Sequence, residues 1–213
     1  MYHFAESFYS LQGEGMRKGT ANVFLRFAGC NLQCNLEEHG FDCDTDFTAR
    51  NSFESPWEVQ RHAQDLGGAY RCHNVIFTGG EPGLQLDDAL VKEFIRYGWH
   101  TAVETNGMFV LPEDLDWVSC SPKRGIPLDS LKVEAVDEFR YVIGAGDDYP
   151  FVGSSSGRTS PRMSPPPAYY LSPAFDVETN RPHVGALEHC IEMVKENPAW
   201  RLSVQDHKSW GVR

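Results

Sequence analysis

The chain reads as an α/β protein: a mostly parallel sheet with helices outside it. Two observations predict this. Short apolar runs end in polar, glycine-bearing turns, as in Asn74-Val75-Ile76-Phe77-Thr78 before Gly79-Gly80-Glu81-Pro82 and His100-Thr101-Ala102-Val103-Glu104 before Thr105-Asn106-Gly107. Between such runs lie segments of helical period, such as Leu86 to Tyr97. Strands alternating with helices pair in parallel, and ligands then sit at the carboxyl ends of the strands, where these turns fall. At 213 residues the chain suits one sizeable core, so 1–213 is read as a single domain.

Composition narrows the function classes. A net charge of -11 leaves no basic stripe to displace counterions, which argues against nucleic acid as a partner and for a small-molecule enzyme or a protein partner. No apolar run approaches the roughly 18 residues of a membrane span, and Met1-Tyr2-His3-Phe4-Ala5-Glu6 has no basic or apolar leader character. Six cysteines, three of them clustered, fit a reducing compartment and a metal better than a disulfide framework, so a cytoplasmic location is expected.

In chain order, Phe4 to Tyr9 alternates as a strand and runs into the turn Leu11-Gln12-Gly13-Glu14-Gly15, whose glycines permit positive φ and close backbone approach. Asn22-Val23-Phe24-Leu25-Arg26-Phe27 is a nearly continuous apolar strand. Its arginine needs an anion, either a structural carboxylate or that of a substrate. It delivers the loop 29–47 with Cys30, Cys34 and Cys43. Thiolates a few residues apart can converge on one soft metal centre, and three rather than four imply an outside ligand or a partner elsewhere in the chain. His39 could be that partner, which would make a four-ligand zinc site in a binding module.

Ser55-Pro56-Trp57-Glu58 signals a helix start, with the helix running to about Leu66 and stopping at Gly67-Gly68. The turn Gly79-Gly80-Glu81-Pro82 offers a backbone cradle with a carboxylate beside it, suited to a ligand amine. Further strands are read at 115–120, ending in Ser121-Pro122-Lys123, and at 138–143, 168–171 and 200–204. Helices are read at 128–133 and 184–196. The serine- and proline-rich stretch 153–167 is expected to be a mobile surface loop.

The set of motifs resembles the radical S-adenosylmethionine superfamily and, within it, the family of 7-carboxy-7-deazaguanine synthases. The marks span nearly the whole chain: Leu11 to Gly15, Arg26, Gly29-Cys30, Cys43-Asp44-Thr45, Thr78 to Pro82, Glu104 to Gly107, Ser121 to Lys123 and Gln205-Asp206-His207-Lys208. The resemblance implies a compacted partial (β/α) barrel with outer helices and a homodimer. It implies that Cys30, Cys34 and Cys43 hold a 4Fe-4S cluster whose open iron chelates S-adenosylmethionine. Asp44, Gly80, Glu81, Glu104, Ser121 and Lys123 would bind that cofactor. Leu11, Gln12, Gly13, Glu14, Arg26, Thr78, His207 and Arg213 would hold a pterin, 6-carboxy-5,6,7,8-tetrahydropterin, with Arg26 on its carboxylate, and Thr45 would ligate Mg2+. The implied reaction starts from a 5'-deoxyadenosyl radical and ends in ring contraction with loss of ammonia, the electron coming from a flavodoxin or ferredoxin. A glycyl-radical activase would share the cysteines and Gly79 to Pro82 but lack Leu11 to Gly15 and the His207-Lys208 tail.

Two positions depart from the family pattern. Eight residues separate Cys34 from Cys43, an insertion long enough for a short helix, and Ser172 stands before Pro173 where a glutamine is expected. Cys72, Cys120 and Cys190 match no ligand and read as buried small hydrophobes.

Overall fold

The computed structural model describes residues 1–150 and 167–213, so the loop expected at 153–167 lies, but for Pro167, outside the described residues. Strand β1 (Tyr2–Leu11) pairs antiparallel with β2 (Ala21–Phe27), so the parallel rhythm starts one strand later than the sequence pattern suggests. The reason is the short connection: a parallel return needs a crossover of roughly a dozen residues or more, usually a helix. The insertion in the cysteine loop does form a helix, α1 (Leu36–His39). Asn35 caps it through its side chain, and Gly40 closes it at a φ of 81°. A strand with no signal in the sequence, β3 (Asn51–Phe53), then pairs with the free edge of β1.

Helix α2 (Pro56–Gly67) starts as expected, with Ser55 accepting from the Glu58 amide, although the Glu58 carboxylate reaches back to the Glu54 amide at 2.6 Å. After β4 (Asn74–Gly79) comes α3 (Asp88–Arg96), which begins later than Leu86 because Asp87 caps it, accepting from the Leu90 amide at 2.9 Å. Strands β5 (His100–Thr105), β6 (Trp117–Cys120) and β7 (Glu138–Ile143) follow. The helix expected at 128–133 is only a single tight turn over Leu128–Ser130. The remaining elements are β8 (Ala168–Pro173), a small hairpin of β9 (Phe175–Asp176) and β10 (Arg181–Pro182), α4 (Ala186–Glu196), β11 (Trp200–Leu202) and α5 (Asp206–Trp210).

The main sheet has the order β11-β8-β7-β6-β5-β4-β2-β1-β3, parallel from β11 to β2. Among the described residues no ladder joins β11 to β3, so the sheet has two edges and is not a closed barrel. Side chains alternate across a strand, and here the alternation separates the two faces. Val23, Leu25, Phe27, Val75, Phe77 and Val103 meet Val59, Leu90 and Phe94 of α2 and α3 in the principal core. Ring contacts tie this core together, Phe4 on Phe27 at 4.5 Å and Phe77 edge-on to Phe94 at 5.3 Å, each adding ~1 kcal/mol beyond burial. Tyr141, Ile143 and Leu171 pack under α4 with Cys190 and Met193. The opposite face carries a small apolar floor of Phe8, Phe24, Ile76 and Ala102, and beside it a row of polar side chains. Register aligns Glu6 with Arg26 and Arg26 with Thr78, and it aligns Glu104 with Ser119 and Ser119 with Glu138.

Candidate functional site

Of that polar row, Arg26, Thr78 and Glu104 border a cavity of about 310 Å3. One wall is the loop carrying the three thiols. Cys30, Cys34 and Cys43 are free and all line the cavity. Burial pushes the Cys30 and Cys34 thiols up from their ordinary values, although the Leu32 amide, 3.4 Å from Cys30 Sγ, works the other way. Three free thiols on one wall have the donor chemistry for a thiophilic iron-sulfur group. They are not already gathered on a point: among the described residues no three His, Cys, Asp or Glu side chains are grouped to hold a metal ion. His39 is buried and its Nδ1 accepts from the Asn35 amide at 3.4 Å, inside α1, so a zinc set including it is not assembled.

The double-glycine turn explains itself through packing. A Cβ on Gly80 would lie 1.9 Å from the Gly29 carbonyl oxygen, and one on Gly79, at a φ of 130°, would lie 2.3 Å from Phe27 backbone atoms. Only glycines let this turn dock on the root of the cysteine loop, where the Gly80 amide donates to Phe27 O (3.1 Å) and the Glu81 amide to Gly29 O (2.9 Å). The Glu81 side chain is turned inward, 1% exposed. It accepts from Thr105 Oγ1 (2.7 Å), the Asn106 amide (2.8 Å) and the Gly83 amide (2.9 Å). Burial pushes its carboxyl up while these bonds pull it back. Glu81 is therefore a brace between turns that also borders the cavity, beside the backbone of Gly79 and Gly80.

Beside the thiols, Lys123 Nζ donates to Ser121 Oγ at 2.9 Å and lies 5.3 Å from the Phe41 ring centre, so the inserted loop holds Lys123 from above. Asp44 takes Lys208 Nζ at 3.2 Å, and Thr45 Oγ1 lies 3.3 Å from Arg26 Nη1. Arg26 also pairs with Glu6 through Nε at 3.0 Å, so one side of its guanidinium is held by the protein.

At the far end, Leu11, Gln12, Gly13 and Glu14 approach from β1 and Thr78 from β4. Gln12 Nε2 donates to Glu104 Oε1 at 2.8 Å, which ties Glu104 to the Leu11 to Glu14 stretch. His207 covers Gly13 so closely that a Cβ there would lie 2.1 Å from its Nδ1, and burial pushes its imidazole down. Arg213 reaches Glu6 at 3.3 Å, and its main-chain oxygen accepts from Ser10 Oγ at 2.6 Å. Every residue assigned from the sequence to the cluster, S-adenosylmethionine, Mg2+ or the pterin lines this one cavity, whereas Lys208 does not. Two buried polar atoms in its wall, Ser172 Oγ and Gln205 Oε1, have no hydrogen-bond partner within the protein, as befits a cavity made for a polar ligand.

A protein from Bacteroides thetaiotaomicron named 7-carboxy-7-deazaguanine synthase is 36% identical over 208 residues, covering 98% of this chain and 97% of the relative. The chain belongs to the 7-carboxy-7-deazaguanine synthase family. A second member, from Bradyrhizobium diazoefficiens, is 36% identical over 228 residues, with 100% and 99% covered. The crystal structure of QueE from Escherichia coli shares the fold, with a TM-score of 0.63 at 22% identity, covering 95% of this chain and 93% of that one. No family model matches the chain.

Sequence reasoning assigned no role to three residues found at this site. Arg140 lines the cavity, Glu6 pairs with both Arg26 and Arg213, and the Phe8 ring lies 6.0 and 5.7 Å from those two guanidiniums. The signal for Arg140 was present, since an arginine inside an apolar strand needs an anion just as Arg26 does. Glu6 and Phe8 gave no local sign, because their roles depend on the β1–β2 register.

Proposed function

We propose that the chain catalyses the conversion of 6-carboxy-5,6,7,8-tetrahydropterin to 7-carboxy-7-deazaguanine and one ammonia, a ring contraction with no net change in oxidation level. The reading is carried by one observation: residues from positions 11 to 213, drawn from both ends of the chain, border a single cavity that also has three free thiols in its wall. Family membership supports it, and so does the polar, charge-lined character of the pocket.

In this reading Cys30, Cys34 and Cys43 would hold a 4Fe-4S cluster. Gly80 and Glu81, with Asp44, Ser121 and Lys123, would hold S-adenosylmethionine beside the thiols. Together the two groups supply, when bound, a carbon radical able to abstract hydrogen. The protein's part is to bind, orient and keep water out. Arg26, steadied by Glu6, would turn its remaining N–H groups to the substrate carboxylate, and Thr45 would ligate Mg2+, a hard-oxygen site of the kind this ion prefers. Gln12, Glu14 and Thr78 meet the heterocycle. Glu104, expected beside S-adenosylmethionine, bonds to Gln12 and is assigned here to the pterin. Phe8 and Phe24 make the dry floor, and His207 and Arg213 bring the tail across the opening. The finer expectations of a sheet curved as a partial barrel, a homodimer, a cytoplasmic location, a flavodoxin- or ferredoxin-type donor and a place in queuosine or other 7-deazapurine biosynthesis belong to the same proposal.

The test is anaerobic reconstitution with iron and sulfide, then incubation with S-adenosylmethionine, magnesium, reductant and 6-carboxy-5,6,7,8-tetrahydropterin. Mass spectrometry should find 7-carboxy-7-deazaguanine and ammonia in equal amounts. Cleavage of S-adenosylmethionine without that product would sink the substrate assignment.

A further inference from the structure

Strand β7 carries a basic residue between aromatic ones, and the roles above leave it unused. The Arg140 side chain is 8% exposed and meets three carboxylates, Glu138 two residues away on its own strand and two from distant parts of the chain. Nη1 lies 3.3 Å from Glu14 Oε2, Nη2 contacts Glu104 Oε2, and Nε faces Glu138 Oε1 at 3.4 Å without hydrogen-bond alignment. Three carboxylates around one guanidinium is an unbalanced set, and each must be held by something else.

Glu138 is held by the protein. It accepts from the Met16 amide at 2.7 Å and from Ser119 Oγ at 2.8 Å, and it does not border the cavity. Glu14 and Glu104 do border it. A carboxylate has about four acceptor positions, and Arg140 and Gln12 occupy only some of those on Glu104. Left alone in a partly buried pocket, two neighbouring carboxylates repel, and either they part or one takes a proton. The planar fork of an arginine prevents both, because it bonds to two carboxylates in fixed directions, which a lysine ammonium cannot do.

We propose that Arg140 is a positioning residue that holds Glu14 and Glu104 side by side at the inner end of the cavity as a charged acceptor pair for a ligand edge with adjacent N–H donors. The inference rests on the pterin reading, since the pyrimidinone edge of a pterin presents an exocyclic amine next to a ring N–H. Arg140 itself need not touch substrate. Its effect reaches the ligand through the two carboxylates.

The experiment measures binding of 6-carboxy-5,6,7,8-tetrahydropterin and, separately, of S-adenosylmethionine by anaerobic calorimetry, with thermal melting alongside. The proteins are the reconstituted wild type, R140M, R140K, E104Q and the R140M/E104Q double variant. R140M should bind the pterin about 30-fold more weakly, as expected for breaking one partner of a desolvated charge pair. Its S-adenosylmethionine affinity should stay within about 2-fold. R140K, which keeps the charge but loses the fork, should recover part of the loss, leaving a deficit of about 5-fold. Because Arg140 acts through Glu104, adding E104Q to R140M should cost less than about 2-fold more, a non-additive cycle. Unchanged pterin binding in R140M overturns the inference and leaves the function standing. Equal losses of both ligands together with a fall in melting temperature overturn it in favour of a purely structural arginine. If R140M does not fold, R140K decides alone: pterin affinity equal to wild type overturns the inference. A wild type that binds S-adenosylmethionine but no pterin refutes the substrate reading and this inference with it.

Discussion

Replacing Gly80 by alanine tests whether the double-glycine turn is there to dock the cysteine loop. The new methyl would sit 1.9 Å from Gly29 O and 3.1 Å from Cys30 Cβ, and the first of these atoms is backbone that cannot rotate away. The turn must therefore lift, which stretches the bonds from the Gly80 amide to Phe27 O and from the Glu81 amide to Gly29 O. Overpacking costs about 1–3 kcal/mol and each lost backbone bond about 1 kcal/mol, so G80A should lose about 3 kcal/mol, allowing for partial relaxation. In a chain of this size that is a fall of about 6–12 °C in melting temperature. The control is Gly68→Ala, where the backbone is already helical and the nearest atom is the mobile Gln64 amide at 3.3 Å. There alanine should be neutral or stabilising by about 0.5 kcal/mol, since it narrows the unfolded ensemble. Urea unfolding of the metal-free proteins measures both, and iron content after reconstitution reports on the loop. G80A with wild-type stability and a full complement of iron would refute the docking argument.

Three further outcomes follow from particular contacts. Glu81→Gln replaces an acceptor oxygen by an amide that must face an N–H or hydroxyl donor, so it should cost about 2 kcal/mol in chemical unfolding even without any ligand. Gly13→Ala should drive the His207 ring off the turn after β1, seen as faster amide exchange across 205–213, with little change in the melting of the sheet. His62 has a buried Nε2 with no partner and packs 5.0 Å from the Phe53 ring, and burial lowers its pKa. With the folded value below the unfolded one, the neutral ring's contribution is full above about pH 6.5 and is lost as the pH falls through the folded pKa. His62→Phe should therefore flatten the decline in stability between pH 7 and pH 5, and an unchanged slope would assign that decline to other groups.

Much of the site was legible because it is written in donors and in period. The thiols at 30, 34 and 43 and the glycine-rich strand ends name their chemistry without coordinates, and the eight-residue insertion held the short helix its length allowed. Other readings failed for local reasons. The helix expected at 128–133 shrank to one turn, and Asp87 moved the start of α3 by offering a better cap than the hydrophobic pattern could reveal. Strand β3 and the β9–β10 hairpin are two or three residues long, too short for any periodicity.

The amino-acid order by itself determined which residues face which side of each strand, because alternation is a property of the backbone; Arg26, Thr78 and Glu104 were bound to share a face once their strands lay parallel and in register. Only the tertiary structure decided the partners. Thr105 and Asn106 hold the Glu81 carboxylate, contacts no local pattern announced, and Arg140 had no anion until the turn after β1 and strand β5 brought Glu14 and Glu104 across the sheet. The physical reason is range: propensity and period act over a few residues, whereas a hydrogen bond or ion pair is set by strand order and register between segments a hundred residues apart.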